Sequence, residues 1–392
     1  MSRSRHFGLL ATLSLVLAAC GGGGPAQPSV SLPTSVGNGE GALTVLAWPG
    51  YAENGSTDPT VDWVTPFEKE TGCKVSVTTF GTSDEAYQLF TKGSGADFDV
   101  ISASGDASLR LVAGGYVQPI NVDLVSNYAD IFPSLKDRPW NTVNKVHYGV
   151  PHGRGANLLM WRTDTVSAEP DSWGAVFDAN SPYKGKVTAY DAPIYIADAA
   201  VYLMKAQPDL KITNPYALDQ TQFDAAVKLL KTQRTLIGEY WSDYTKEIDA
   251  FTNGNSVIGT TWQIITNLLE GAEQPVPVKA IKPKEGSTGW SDTWMINSKT
   301  THPNCAYKWL NHIVAPDVNI QVAEWFGEAP ANSKSCALAS SADFCTTFQA
   351  EETDFWKDVY YWTTPTKQCL DGRGDICVGF DDWIKAWTEI KG

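Results

Sequence analysis

The chain has 392 residues, of which 43% are hydrophobic and 11% aromatic, and its formal net charge is −14. That composition is globular, and the acidic balance disfavours nucleic acid and anionic lipid as partners while mildly favouring cations. The five histidines are scattered and no G-x-S-x-G, H-E-x-x-H or Walker pattern occurs, so the sequence asks for no enzyme, no metal and no cofactor.

Arg3 and Arg5 precede an apolar run from Phe7 to Ala19 that closes on Leu17-Ala18-Ala19-Cys20. A charged start, a short apolar core and small residues before the cut make a secretory signal over 1–19, shorter than the ~18–20 apolar residues of a membrane span. The last four residues resemble the lipobox of bacterial lipoproteins, which implies that Cys20 is the lipidated first residue of the mature chain. Residues 20–41, opening on Gly21-Gly22-Gly23-Gly24-Pro25, read as a flexible tether. Loss of 1–19 removes two arginines and no acid, taking the charge from −14 to −16.

Six cysteines remain beyond Cys20, an even number in an exported chain, and they allow 15 pairings. Cys336 with Cys345 and Cys369 with Cys377 would close short loops, leaving Cys73 for Cys305.

The body begins with a buried-type strand, Gly41 to Trp48, stopped by Pro49-Gly50-Tyr51. A helix is expected from about Thr60 to Thr71, then an alternating strand from Cys73 to Phe80. Ser83 is placed as cap of a helix over 84–91, and Phe98-Asp99-Val100-Ile101 is a third strand. Strand, helix, strand, helix, strand predicts an open, mainly parallel sheet with ligands at the carboxyl ends of its strands. The pattern restarts after Tyr148-Gly149-Val150-Pro151 with a strand over 186–190, helices near 197–204, 222–236 and 244–253, and a strand over 256–262. Later, Trp290 and Asp292 stand two apart in what reads as one strand, so that a π-face and a carboxylate would look into one space, the minimum for holding an ammonium group.

In order and spacing, Leu43-Thr44-Val45-Leu46-Ala47-Trp48, Phe67-Glu68-Lys69-Glu70-Thr71-Gly72, Phe98-Asp99-Val100-Ile101, Tyr183-Lys184-Gly185-Lys186-Val187, Trp290-Ser291-Asp292 and Ala315-Pro316-Asp317-Val318 resemble the periplasmic spermidine/putrescine-binding proteins of ABC importers. The resemblance implies an α/β, two-lobed clamp of the type II periplasmic-binding fold, each lobe a mixed, mostly parallel sheet flanked by helices. Lobe 1 would comprise 42–151 plus 292–334, and lobe 2 would comprise 152–291 plus 335–392. It also implies a small amine solute as cargo, an ABC permease as partner, and a pocket using Trp48, Tyr51, Ser104, Trp262, Trp290 and Asp292.

Departures from the family pattern are specific. Asp191-Ala192-Pro193-Ile194-Tyr195 lacks the family's further acids, whereas Asp106 and Glu328 stand where tyrosine is common and join the candidate site. A diamine or a γ-amino acid then fits better than a long polyamine, and Arg154 is positioned to meet a ligand carboxylate or to form a hinge ion pair. The same clamp could instead hold ferric ion, through Tyr360-Tyr361, or thiamine, or serve a sensor rather than an importer.

Overall fold

Residues 32–351 and 353–392 are described in a computed structural model. The leader and Cys20 lie outside them. No helix among the described residues is long and apolar enough to cross a membrane.

In chain order the strands are β1 (Ala42–Ala47), β2 (Lys74–Thr79), β3 (Val100–Ala103), a hairpin of β4 (Thr142–Val143) and β5 (Val146–His147), β6 (Val150–Pro151), β7 (Gly153–Ala156) and β8 (Leu158–Arg162). Then come β9 (Val187–Tyr190), β10 (Ile237–Trp241), β11 (Ile258–Thr261), β12 (Val278–Ile281), β13 (Ser287–Trp290), β14 (Thr293–Ile296), β15 (Ala329–Pro330) and β16 (Val359–Tyr361). Two five-stranded sheets, β2–β1–β3–β14–β6 and β10–β9–β11–β8–β12, carry the two lobes, and a four-stranded sheet, β15–β7–β13–β16, is made partly from the segments that join them. Both large sheets are mixed, with parallel pairs around β1 and β9 and antiparallel pairs around β14 and β8. Interior strands are apolar because both faces are covered. In β1, Leu43, Val45, Leu46 and Ala47 are fully buried, whereas the edge strand β2 leaves Val77 exposed despite its alternating sequence.

Two separate apolar cores follow. One gathers Leu43, Val45, Phe67, Ile101, Trp294 and Trp309 around the first sheet. The other gathers Trp161, Trp173, Phe177, Val187, Tyr195 and Trp383 around the second.

The chain passes from the first sheet to the rest at His152, between β6 and β7, and returns at Ser291-Asp292, between β13 and β14. The backbone N–H of His152 donates to the carbonyl of Asp292 at 2.9 Å, so the two crossings are tied side by side. This corrects the expectation that Trp290 and Asp292 belong to one strand. Trp290 closes β13 and Asp292 precedes β14, strands that belong to two different sheets, with Ser291-Asp292 as the passage between them.

Two helix starts also differ from expectation. The first helix is Val64–Thr71, later than Thr60, because the N–H groups of Trp63 and Val64 both bond the carbonyl of Glu53 and hold the preceding residues as a turn. The second is Ser83–Thr91, capped by Thr82 rather than Ser83. Thr82 Oγ1 accepts from Glu85 N at 3.1 Å, and the Glu85 carboxylate accepts from Gly81 N at 2.7 Å.

Disulfides join Cys73–Cys305, Cys336–Cys345 and Cys369–Cys377. Part of the stretch assigned to the tether is fastened to the body. Asn121 Nδ2 donates to the Pro33 carbonyl, Gly37 N donates to Asn304 Oδ1, and Glu40 accepts from the backbone N–H groups of Asn304 and Cys305 at the start of the helix Pro303–Ile313.

Candidate functional site

Strand ends converge on one cleft of about 600 Å³. Trp48 follows β1, Phe80 follows β2 and Ser104 follows β3. From the other lobe, Asp243 follows β10 and Trp262 follows β11. This is where the parallel part of an open sheet presents its loops. Trp290, Asp292, Phe326 and Trp362 complete the wall.

The wall is aromatic and acidic. The Trp262 and Trp290 rings meet edge to face at 6.2 Å, and Trp290 meets Phe326 in the same way at 5.8 Å. Trp48 leans on Phe80 at 4.6 Å, and Trp362 stacks on the buried ring of Tyr190 at 5.4 Å. Trp262 is held by its indole N–H, which donates to Asn157 Oδ1 at 2.9 Å. Glu85, Asp243 and Asp292 bring three carboxylates to the wall, and none of its lining residues is Lys, Arg or His.

Asp292 is 2% exposed. Its carboxylate accepts from Ser104 Oγ at 2.5 Å and from the Tyr51 hydroxyl at 2.8 Å. Desolvation, opposed in part by the Ser104 bond and reinforced by the nearby Glu328, pushes its pKa up to about 6. Tyr51 Oη also lies 2.9 Å from Glu328 Oε2. A phenol carries one proton and can serve only one of two carboxylates at a time. Burial and both acids hold the Tyr51 hydroxyl well above its usual pKa. His152 Nδ1 lies 3.1 Å from Glu328 Oε1, closing the chain behind the cleft floor.

Of the residues expected from sequence, Trp48, Ser104, Trp262, Trp290 and Asp292 are brought together on the wall. Tyr51 and Glu328 are fully buried and stand behind Asp292, not on the wall. Asp106, on the helix Gly105–Ala113, is also buried off the wall, and desolvation pushes its carboxyl up to about 7. Arg154 does not reach the cleft. Its guanidinium donates to the Ala350 carbonyl at 2.7 Å and stacks on Trp356, and it forms no ion pair among the described residues. Tyr360 and Tyr361 line a different hollow. Asp191 is held by Lys391. Phe80, Glu85, Asp243, Phe326 and Trp362 were not foreseen, although applying the strand-end rule to β2 and β10 points to Phe80 and Asp243.

A two-lobed α/β protein with a cleft at the strand ends of both sheets is a solute-binding clamp. The chain belongs to the family of bacterial extracellular solute-binding proteins, whose model matches residues 62–350. The spermidine/putrescine-binding periplasmic protein of Escherichia coli K12 is 26% identical over 310 residues, 76% of this chain and 84% of its own. A solved spermidine/putrescine ABC transporter substrate-binding protein of Streptococcus pneumoniae superposes with a TM-score of 0.68 at 18% identity, covering 90% of this chain and 99% of that one. A solved GABA receptor superposes at 0.66 and 19% identity, covering 90% and 98%. These two structures share the fold.

Proposed function

We propose that the protein captures a small solute bearing ammonium groups and hands it to an ABC permease. The observation that carries this reading is the composition of the wall: three carboxylates, several indoles and no cationic side chain. A desolvated cation over an aromatic face is worth about 0.5–2 kcal/mol and a charge-assisted hydrogen bond about 1.5–3 kcal/mol. Glu85 comes from the lobe of β2 and Asp243 from that of β10, so a ligand with two amines can engage both lobes at once. That favours a diamine such as putrescine, one of the two polyamines in the name of the Escherichia coli relative.

In this reading 42–151 with 292–334 form one lobe, 152–291 with 335–392 form the other, and closure turns about His152 and Ser291-Asp292. Cargo stabilises the closed form by touching both lobes, and the permease recognises that form. Lipidation at Cys20 anchors the chain outside the cytoplasm, with the segment ahead of Pro33 as spacer.

A second ligand chemistry has its own support. The buried indole N–H groups of Trp48, Trp290 and Trp362 find no acceptor among the described residues, which suits a cargo with an oxygen acceptor, such as a γ-amino acid. Calorimetric titration with putrescine, spermidine and γ-aminobutyrate separates the two. If ferric citrate or thiamine binds and no amine does, the proposal fails.

A further inference from the structure

Strand β7 has two functional faces. On one, Gly155 leaves space for Trp290, whose ring would lie 2.4 Å from an added Cβ, and Gly153 leaves space for the carboxylate of Glu328. Arg154 lies between them and, by the alternation of a strand, points to the opposite face. Its side chain enters a hollow of about 480 Å³, lined also by Ser134, Arg138, Trp140, Asn214 and Tyr361.

The chemistry of that hollow is the reverse of the cleft's. Arg154 is 3% exposed, yet no carboxylate among the described residues pairs with it. Among the described residues its Nε has no acceptor, and its Nη1 reaches only Ser134 Oγ at 3.3 Å and Tyr361 Oη at 3.5 Å. Arg138 is fixed at the same place by donation from Nε to the Ser134 carbonyl at 2.6 Å. The residues that line the hollow include no Asp or Glu, in a chain whose net charge is −14. Asp371 approaches only Thr213 Oγ1, at 3.4 Å, and is itself held by Arg373. A buried guanidinium without a counter-charge is costly, and planar oxyanions satisfy it through its fork of donors.

We propose that this hollow is a second binding site, separate from the cleft, that takes a small oxyanion, a carboxylate or a phosphate, on Arg154, Arg138 and the Tyr361 hydroxyl. Ser134 adjoins Leu135 of the first core and Tyr216 belongs to the second, so the occupant touches elements of both lobes.

The test is a calorimetric titration of the soluble chain with inorganic phosphate and with acetate, at fixed ionic strength against chloride. At least one of them binds the parent protein, and the better of the two identifies the anion. Arg138→Gln, at a half-buried position, weakens that binding at least tenfold, and Arg154→Gln abolishes it. Tyr361→Phe weakens it less. No heat or thermal shift with either anion, or equal binding by the parent and Arg138→Gln, overturns the proposal. Because the cleft is untouched by Arg138→Gln, putrescine binding is its control and stays within twofold of the parent.

Discussion

Replacing Asp292 with asparagine separates the two roles of its carboxylate. In the unliganded protein the buried charge is a burden: a pKa raised from 3.8 to about 6 means that ionised Asp292 costs the fold about 3 kcal/mol at pH 8, at 1.36 kcal/mol per unit. Asparagine removes that cost while its carbonyl oxygen still accepts from Ser104 or Tyr51. The amide N–H is left facing hydroxyls and a carboxylate, which offer it lone pairs. Unliganded Asp292→Asn is therefore expected to be as stable as the parent or more stable at pH 8, with the advantage shrinking toward pH 4, where the parent's carboxyl is protonated. Binding moves the opposite way. Truncating one partner of a buried charge pair costs about 2–5 kcal/mol, so putrescine affinity should fall roughly 30- to several-thousand-fold. Calorimetric unfolding at pH 4, 6 and 8 and titration with putrescine measure both halves. Unchanged affinity refutes the anchor. A variant that is destabilised most at pH 8 refutes the burden.

Putrescine affinity of the parent should drop about tenfold per pH unit below 6 and level off above 7, because the cation must expel a proton from Asp292; a flat profile between pH 5 and 8 by titration contradicts this. Asp198 is fully buried and desolvation pushes it up to about 7, so a stabilising contribution present below about pH 4 is lost as the pH rises through 7. Asp198→Asn, which keeps the acceptor for Thr288 Oγ1, should gain about 2–4 kcal/mol at pH 8 and little at pH 4 in urea unfolding. Gly155→Ala drives a methyl into the Trp290 ring and should weaken putrescine binding at least fivefold with little change in circular dichroism. Removing the Cys73–Cys305 bridge, which spans a sequence separation of 232, should cost about 2–5 kcal/mol of stability by denaturant titration.

Much of the fold was legible because its signals are local. Leu43 to Ala47 form an apolar run that only a strand covered on both faces can use, and Gly72 stops its helix in a left-handed conformation with φ 73. Cys336–Cys345 and Cys369–Cys377 are near in sequence and hence near in space. The cleft was half legible. Trp48, Ser104 and Trp262 lie at strand ends that the hydrophobic pattern reveals, but Phe326 arrives from the end of a helix and Trp362 from beyond β16, so only tertiary packing delivers them. Trp290 and Asp292 do share the wall, but they flank the passage between strands of two different sheets instead of lying in one strand. Asp106 and Glu328 illustrate a further limit. Asp106 sits three residues past β3 in the first turn of its helix and Glu328 two residues past the helix Pro316–Phe326; both turn into the interior, and sequence does not record which way such a carboxylate turns.

The bond between His152 N and the Asp292 carbonyl gives the molecule an unusual division of labour. In the proposed clamp the residue that would grip cargo with its carboxylate also lends its backbone carbonyl to the tie between the crossings, so its side chain can be exchanged while that tie is kept. Retuning the proposed cargo preference can therefore begin at Asp292 as well as at Trp48, Glu85 or Asp243, since none of these exchanges removes the bond between the crossings.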